Sequence, residues 1–153
     1  MPETILVTGA AGFVGSHLLT LLDRTDQHDT LIAWRRPNGS RAQTTPPRPF
    51  PPTEHIAWRE VNLLDPTAVA RAIAETRPTQ VYHCAAVANV GGSWSNSYMT
   101  LRTNVLGTEH LLLAIRDHSA SARVLIPGSA LVYRPLRPPS RRPRHWVPSA
   151  PTD

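Results

Sequence analysis

Three glycines close to the amino end constrain the fold of this chain more than any other feature. Gly9, Gly12 and Gly15 follow the apolar run TILVT and lie within the stretch TGAAGFVG. The run before them is short and continuously apolar, as in a buried parallel strand. After them, apolar residues recur at helical spacing, which predicts a strand, a tight turn and a helix over residues 4–24. These recurring residues are Val14, Leu18, Leu21 and Leu22.

Further strand and helix patterns alternate along the first 133 residues. Strands are predicted at 30–34, 56–63, 80–86 and 123–128, and helices at 66–77 and 96–117. This alternation favours a parallel sheet built from right-handed β-α-β units. We therefore expect an α/β fold, a Rossmann-type doubly wound sheet of about five strands, over residues 1–133. The long helix is expected to carry one apolar stripe of Leu101, Val105, Thr108, Leu112 and Ile115.

Two proline-rich segments interrupt this pattern. Residues 37–55 contain six prolines and are expected to form a loop or disordered insert. Residues 134–153 hold five arginines and one acid, so this irregular tail carries most of the net charge of +5. Apart from Trp146 the tail lacks the interleaved aromatic residues of nucleic-acid-binding segments, which favours a solvated Pro-Arg stretch and no nucleic-acid partner.

The composition excludes several classes of protein. No apolar run approaches the ~20 residues of a membrane span, and the acidic start does not resemble a signal peptide. Cys84 is the single cysteine, so no intrachain disulfide can form, and a cytoplasmic location is expected. All sixteen basic residues are arginine, which with abundant Ala and Pro indicates a GC-rich bacterial gene. His83 has no second histidine at metal spacing, so it and Cys84 are expected in the core, with no metal site.

The G-x-x-G-x-x-G turn has the form of a dinucleotide-binding turn. Glycine permits a tight bend and a close approach of pyrophosphate, and a helix N-terminus offers free N–H groups to phosphate oxygens. The alternative is a tight turn without a ligand, but the flanking strand and helix supply the context that favours binding. The expected cofactor contacts here are Gly9, Gly12, Phe13, Val14 and Gly15.

The end of the second strand bears on which dinucleotide is bound. An acidic residue about 20 positions after the glycines would bond the ribose hydroxyls of NAD, but the chain reads Trp34-Arg35-Arg36. Two guanidinium groups could hold a 2′-phosphate, which favours NADP, with NAD still possible. The alternative is a solvated arginine pair at the entry of a loop.

From Thr4 to about residue 133 the chain resembles the extended short-chain dehydrogenases/reductases, also called the NAD-dependent epimerase/dehydratase family. TGAAGFVGSHL resembles the family's TGxxGxxG turn, and VNLLD, VYHCAA, NVLGTEHLLLAIR and GSALVY resemble its later motifs. The resemblance implies a nucleotide-sugar substrate, a homodimer and a catalytic Ser129. Within the family, GGSWSNSYMTLRTNVLGT is most similar to GDP-mannose 4,6-dehydratases and GDP-deoxyhexose reductases. The resemblance also implies cofactor contacts at Leu64, Asp65, Ala85, Ala86 and Asn104.

Two of these residues have structural alternatives. Asp65 precedes Pro66 and would serve equally as a helix N-cap. Asn104 could satisfy the backbone at a kink in the helix. Both roles can coexist with cofactor binding, and the sequence leaves them open.

The family's Tyr-x-x-x-Lys pair is absent. The chain has no lysine, and none of Tyr82, Tyr98 and Tyr133 can belong to such a pair. In the family this tyrosine is the acid/base at the sugar oxygen, and a neighbouring cation favours its phenolate. Moreover, Arg134 stands where the family has glycine. We therefore expect only part of the family fold and no catalysis by residues 1–153 alone, so that enzyme activity stays uncertain.

Three functions remain open. The chain is expected to be the cofactor-binding part of a nucleotide-sugar epimerase, dehydratase or reductase. Alternatively, it is a non-catalytic module that binds a dinucleotide or a partner subunit, or an RNA-binding protein with a basic tail. In the family the long helix pairs with a second helix, which carries the Tyr and Lys, in a dimeric bundle. Without that helix, the helix at 96–117 is expected to expose an apolar face, and the family dimer is in doubt.

Overall fold

The computed structural model describes residues 3–25, 30–37, 55–87 and 97–129. Except at residues 37 and 55, the predicted proline-rich insert lies outside these ranges, as do Tyr133 and the tail at 134–153. The elements in chain order are β1 (Thr4–Thr8), α1 (Phe13–Thr25), β2 (Thr30–Arg35), β3 (Ile56–Glu60), α2 (Pro66–Thr76), β4 (Gln80–His83), α3 (Ser97–Leu101), a π-helical segment (Arg102–Leu106), α4 (Gly107–His118) and β5 (Arg123–Leu125).

The five strands form one parallel sheet in the order β3-β2-β1-β4-β5. The predicted Rossmann-type sheet is thereby confirmed. The chain moves outward from β1 to β2 and β3, then returns to the other side of β1 for β4 and β5. The direction of winding therefore reverses between β1 and β4, and the carboxyl ends of these strands flank the point where open α/β sheets bind ligands.

Each face of the sheet carries its own apolar core. Side chains alternate between the faces of a strand, so Leu6, Ile32 and Val81 contribute to one core while Ile5 and Val7 contribute to the other. The first core is completed by α2 and α4, and the second by α1. At ~25 cal/mol per Å² of buried apolar surface, these two cores supply most of the driving force for folding.

Three predicted strands are shorter than expected. Those predicted at 56–63, 80–86 and 123–128 end at Glu60, His83 and Leu125. After β3 the chain turns, because Asn62 accepts hydrogen bonds from Asp65 N–H at its carbonyl and from Leu64 N–H at Oδ1. Apolar residues thus continue past the end of the hydrogen-bonded ladder, which an apolar run does not reveal.

Three of the five residues in the predicted stripe of the long helix are exposed, in agreement with the expectation of an uncovered apolar face, whereas Ile115 is buried. Leu101, Val105 and Leu112 are 61%, 56% and 42% exposed, whereas Thr103 and Leu111 are buried. The helix has apolar residues on two sides, and the wide π-helical turn shifts the register between them. In α1, Val14 and Leu21 of the recurring apolar residues are exposed, whereas Leu19 is buried. None of the helices in the described ranges is long and apolar enough to cross a membrane.

Candidate functional site

A cleft of about 310 Å³ opens at the carboxyl ends of β1, β2, β3 and β4. Its walls are residues 8–9, 34–36, 61–64 and 85–87, which end or follow these four strands, together with Thr103 from the π-helical segment. Its volume lies at the lower end of the ~300–1,000 Å³ range of small-molecule sites. The parallel topology therefore gathers four separate segments around one potential ligand.

Gly9 of the glycine turn lines the cleft, and neither Gly9 nor Gly15 has room for a side chain. Gly9 has a φ of +64°, and a Cβ built there would lie 2.6 Å from the Cα and N of Ala85. A Cβ on Gly15 would lie 2.4 Å from the carbonyl oxygen of Gly9. These contacts hold the first turn of α1 directly against the ends of the strands.

The amino end of α1 is suited to bind an anion. Ala11, Gly12, Phe13 and Val14 are exposed, and the first turn of the helix contains no acidic residue. The first N–H groups of a helix have no partner within it, and they lie at the positive end of its dipole. The turn thus has the shape and the polarity that a dinucleotide pyrophosphate requires. The residues present fit such a cofactor.

The arginines after β2 lie at the mouth of the cleft, but they are not equivalent. Arg35 is paired with Glu60 on β3, with Nη2 of the arginine 3.0 Å from Oε1 of the glutamate. The two residues are direct partners in the parallel register. Arg36 also lines the cleft and is exposed. The sequence suggested that this edge lacked an acid, whereas β3 supplies one.

A chain of hydrogen bonds runs beneath the cleft from β1 to the long helix. The Thr8 hydroxyl accepts a bond from Ala85 N–H and lies 2.7 Å from His83 Nδ1. His83 Nε2 lies 2.9 Å from the Thr108 hydroxyl, which in turn donates to the Asn104 carbonyl. Because the Thr108 hydroxyl donates to the Asn104 carbonyl, it accepts from His83 Nε2–H, and neutral His83 then accepts at Nδ1 from the Thr8 hydroxyl.

His83 is buried, as predicted for a core residue. Burial also lowers its pKa from the ordinary value because charging the imidazole would cost its solvation. The same effect raises the pKa of the half-buried Cys84 thiol. Both therefore stay neutral near pH 7, and their role is to support the segment that follows β4.

The long helix positions two walls of the cleft. Asn104 Oδ1 accepts a hydrogen bond from Val87 N–H, and Asn104 Nδ2 donates one to the Val87 carbonyl. His110 Nδ1 lies 2.8 Å from the carbonyl oxygen of Leu63, to which it donates. The π-helical segment and α4 thereby fix the chain after β4 and after β3 at the same time.

The structure brings only some of the predicted site residues to the cleft. Asp65 instead caps α2 by accepting a hydrogen bond from Ala68 N–H, and Asn104 lies behind the wall that it holds. Ser129 is exposed beyond the end of β5 and is not part of the lining. Those that line the cleft are Gly9, Arg35, Arg36, Leu64, Ala85 and Ala86. Those that do not are Gly12, Phe13, Val14, Gly15, Asp65, Asn104 and Ser129.

Sequence reasoning missed several residues of the lining. Thr8 and Asn62 lie near the ends of predicted strands and Val87 directly follows one, so the rule that ligands bind at the carboxyl ends of parallel strands would have found them. Trp34 and Thr103 are 1% and 8% exposed. Trp34 Nε1 and Thr103 Oγ1 have no hydrogen-bond partner in the described part of the chain. Two unpaired buried polar atoms beside one cleft are unusual in a folded protein.

The family model for the NAD-dependent epimerase/dehydratase family matches residues 5–151. The chain belongs to this family. It is 32% identical over 130 residues to UDP-glucuronic acid decarboxylase 6 of Arabidopsis thaliana, covering 84% of this chain and 34% of the relative. It is 28% identical to dTDP-glucose 4,6-dehydratase of Shigella flexneri, covering 74% and 31%. The structure is similar to UDP-glucose 4-epimerase of Thermus thermophilus in complex with NAD. That likeness has a TM-score of 0.62 and 32% identity, and covers 76% of this chain and 34% of the epimerase.

The chain spans about a third of the length of these relatives. The shared third is the sheet, the glycine turn and the cleft described above. The names of the relatives are those of UDP-sugar and dTDP-sugar enzymes, and the predicted GDP-sugar subfamily is not among those named here.

Proposed function

We propose that this chain is the dinucleotide-binding part of a nucleotide-sugar epimerase, dehydratase or reductase. The observation that carries the proposal is the cleft at the strand ends, which Gly9 lines at φ +64°, beside the exposed amino end of α1. The pyrophosphate would rest on the N–H groups of that turn, with the adenosine half toward β2 and β3. Bound there, the cofactor would supply hydride transfer.

The cofactor is proposed to be NADP, with NAD as the second possibility. Arg36 and Arg35 stand where an NAD-binding site of this fold places an acid, and both line the cleft. Arg36 is the stronger candidate for a 2′-phosphate because Arg35 already pairs with Glu60. The epimerase from Thermus thermophilus was crystallised with NAD, so the preference has to be measured on this chain.

Two proposals are tested by titrating the purified chain with NADPH and NADH: that it binds a dinucleotide and that it prefers NADP. Binding is followed by the fluorescence of the reduced nicotinamide. We expect NADPH to bind more tightly, and Arg36→Ala to weaken NADPH by about five- to tenfold with little effect on NADH. Arg116→Ala is the matched control, because Arg116 is also exposed but lies at the far end of α4. Absence of binding by either dinucleotide to a folded chain would refute the proposal.

A non-catalytic binding module is the second candidate, and the absence of lysine favours it. The sequence contains no lysine to lower the pKa of a catalytic tyrosine as the family's lysine does. General acid–base help is worth ~10²–10⁴-fold in rate. Residues 1–153 are therefore proposed to hold the cofactor, while turnover requires a Tyr-Lys pair from elsewhere. For the substrate we propose only the class of nucleotide sugars. The sequence motif resembles GDP-sugar enzymes, whereas the relatives are named as UDP-sugar and dTDP-sugar enzymes, so the nucleoside is left open.

We propose that the chain associates with a partner through the long helix. Leu101, Val105 and Leu112 form an exposed apolar face, which we call the outer stripe, continued by Leu106 and Leu113. Contiguous apolar surface of this kind marks a site of protein association. A covering helix, from a second copy or from another polypeptide, would remove it from water.

A further inference from the structure

The pair formed by Arg35 and Glu60 stands at the boundary between the cleft and the neighbouring surface. Arg35 lines the cleft, whereas Glu60 lies outside it on β3. The two side chains project from the same face because their residues are register partners, and they are 52% and 49% exposed. The carboxylate of Glu60 thus occupies N–H donors of Arg35. Arg35 is one of the two arginines that would bind a 2′-phosphate.

We infer that Glu60 sets the cofactor preference of this chain by holding Arg35 away from the 2′-phosphate of NADP. The inference rests on the proposed function. A guanidinium paired with a carboxylate has fewer free donors and less net positive charge to offer to an anion. The glutamate itself lies within one ion-pair length of that guanidinium and repels a phosphate placed there. NAD has uncharged hydroxyls at this position, which the carboxylate does not repel, and Glu60 does not itself line the cleft. Glu60 is therefore a specificity-determining residue that narrows the preference for NADP.

The neighbouring strand residue provides an internal control. Arg59 pairs with Glu75 of α2, with Nη1 and Oε2 2.7 Å apart, and the exposures are similar. Because side chains alternate along β3, Arg59 and Glu60 point to opposite faces of the sheet. Removing the carboxylate of Glu75 thus breaks an ion pair of the same type without altering the lining of the cleft.

The test compares Glu60→Gln with Glu75→Gln in the full chain. We expect Glu60→Gln to tighten NADPH about three- to fivefold at low salt, the range available to an exposed ion pair, and to leave NADH unchanged. The gain should shrink as NaCl is raised, because the pair is solvent-exposed. Glu75→Gln should change neither affinity. In a double-mutant cycle, Arg35→Ala should abolish the gain, since the freed guanidinium is then missing.

The outcomes separate this inference from the proposed function. Binding of both dinucleotides with no effect of Glu60→Gln would overturn the inference and leave the proposed function standing. An equal gain for NADH, or a gain that survives Arg35→Ala, would also overturn it, because the effect would not pass through the 2′-phosphate and Arg35. Failure of a folded chain to bind either dinucleotide would overturn both.

Discussion

Replacement of Gly9 by alanine should cost this chain a large part of its stability. The left-handed conformation at φ +64° costs an L-residue ~1–2 kcal/mol. The new Cβ would also lie 2.6 Å from the backbone of Ala85, and relieving such an overlap typically costs ~1–3 kcal/mol. Together these effects predict a loss of about 2–5 kcal/mol, against the ~5–15 kcal/mol by which domains are stable. The contact is with backbone, so no side-chain rotation can relieve it.

Urea unfolding followed by far-UV circular dichroism measures the loss. With a slope of ~2 kcal/mol per molar urea, the midpoint of Gly9→Ala should fall by about 1–2.5 M. Gly128→Ala is the matched control, because a Cβ at Gly128 meets nothing within 4 Å. It should change the free energy of unfolding by less than ~0.5 kcal/mol. A Gly9→Ala protein as stable as the wild type would refute the packing assigned to the glycine turn.

Four further outcomes follow from the structure. Burial lowers the pKa of His83, so the unfolded state binds the extra proton, and stability should be lost as the pH falls below about 6.5; His83→Gln should flatten this dependence in urea titrations, and an unchanged profile would contradict it. Thr103→Val removes an unpaired buried hydroxyl at nearly constant shape, so the unfolding free energy should stay level or rise by up to ~1 kcal/mol, whereas a clear loss would mean that the hydroxyl has a partner. Leu112→Glu places a charge in the outer stripe and should reduce self-association in light scattering; a wild-type chain that is monodisperse and monomeric at high concentration would oppose the role given to that stripe. Residues 1–153 with NADP and UDP-glucose or GDP-mannose should show no change in reduced-nicotinamide absorbance, and turnover that disappears in Ser129→Ala would reverse this expectation.

The sheet was predictable because each strand leaves a local signal. The consecutive apolar residues of β1 and β2 and the period change at the glycine turn are properties of short windows. The strand ends were less predictable. The apolar residues Val61, Leu63 and Leu64 follow β3, and only the hydrogen bonds to Asn62 show where the chain turns away. Pairing with a neighbouring strand is a tertiary property that the run itself does not encode.

The sequence did not indicate which face of the long helix is buried, for a related reason. The long helix has more apolar residues than one face can bury, so periodicity alone could not choose between the stripes. The π-helical turn at Arg102–Leu106 decides the register, and it is built around Asn104, whose side chain reaches Val87. Asn104 was expected either to contact the cofactor or to satisfy the backbone at a kink, but its side chain bonds the backbone of Val87 in a distant segment of the chain.

The end of β2, where the adenosine half of the cofactor is proposed to bind, shows most clearly what sequence order alone does not reveal. Counting from the glycines to the end of β2 finds two arginines and no acid, and on that basis NADP is favoured. The acid is present 25 positions later, because the parallel register places Glu60 beside Arg35. A carboxylate on the adjacent strand can counter a guanidinium as effectively as one on the same strand, since Coulomb attraction depends on the separation in space. The positive charge available to a 2′-phosphate therefore depends on Glu60 as well as on the two arginines. Arg36 is the arginine whose charge is not already opposed by that carboxylate.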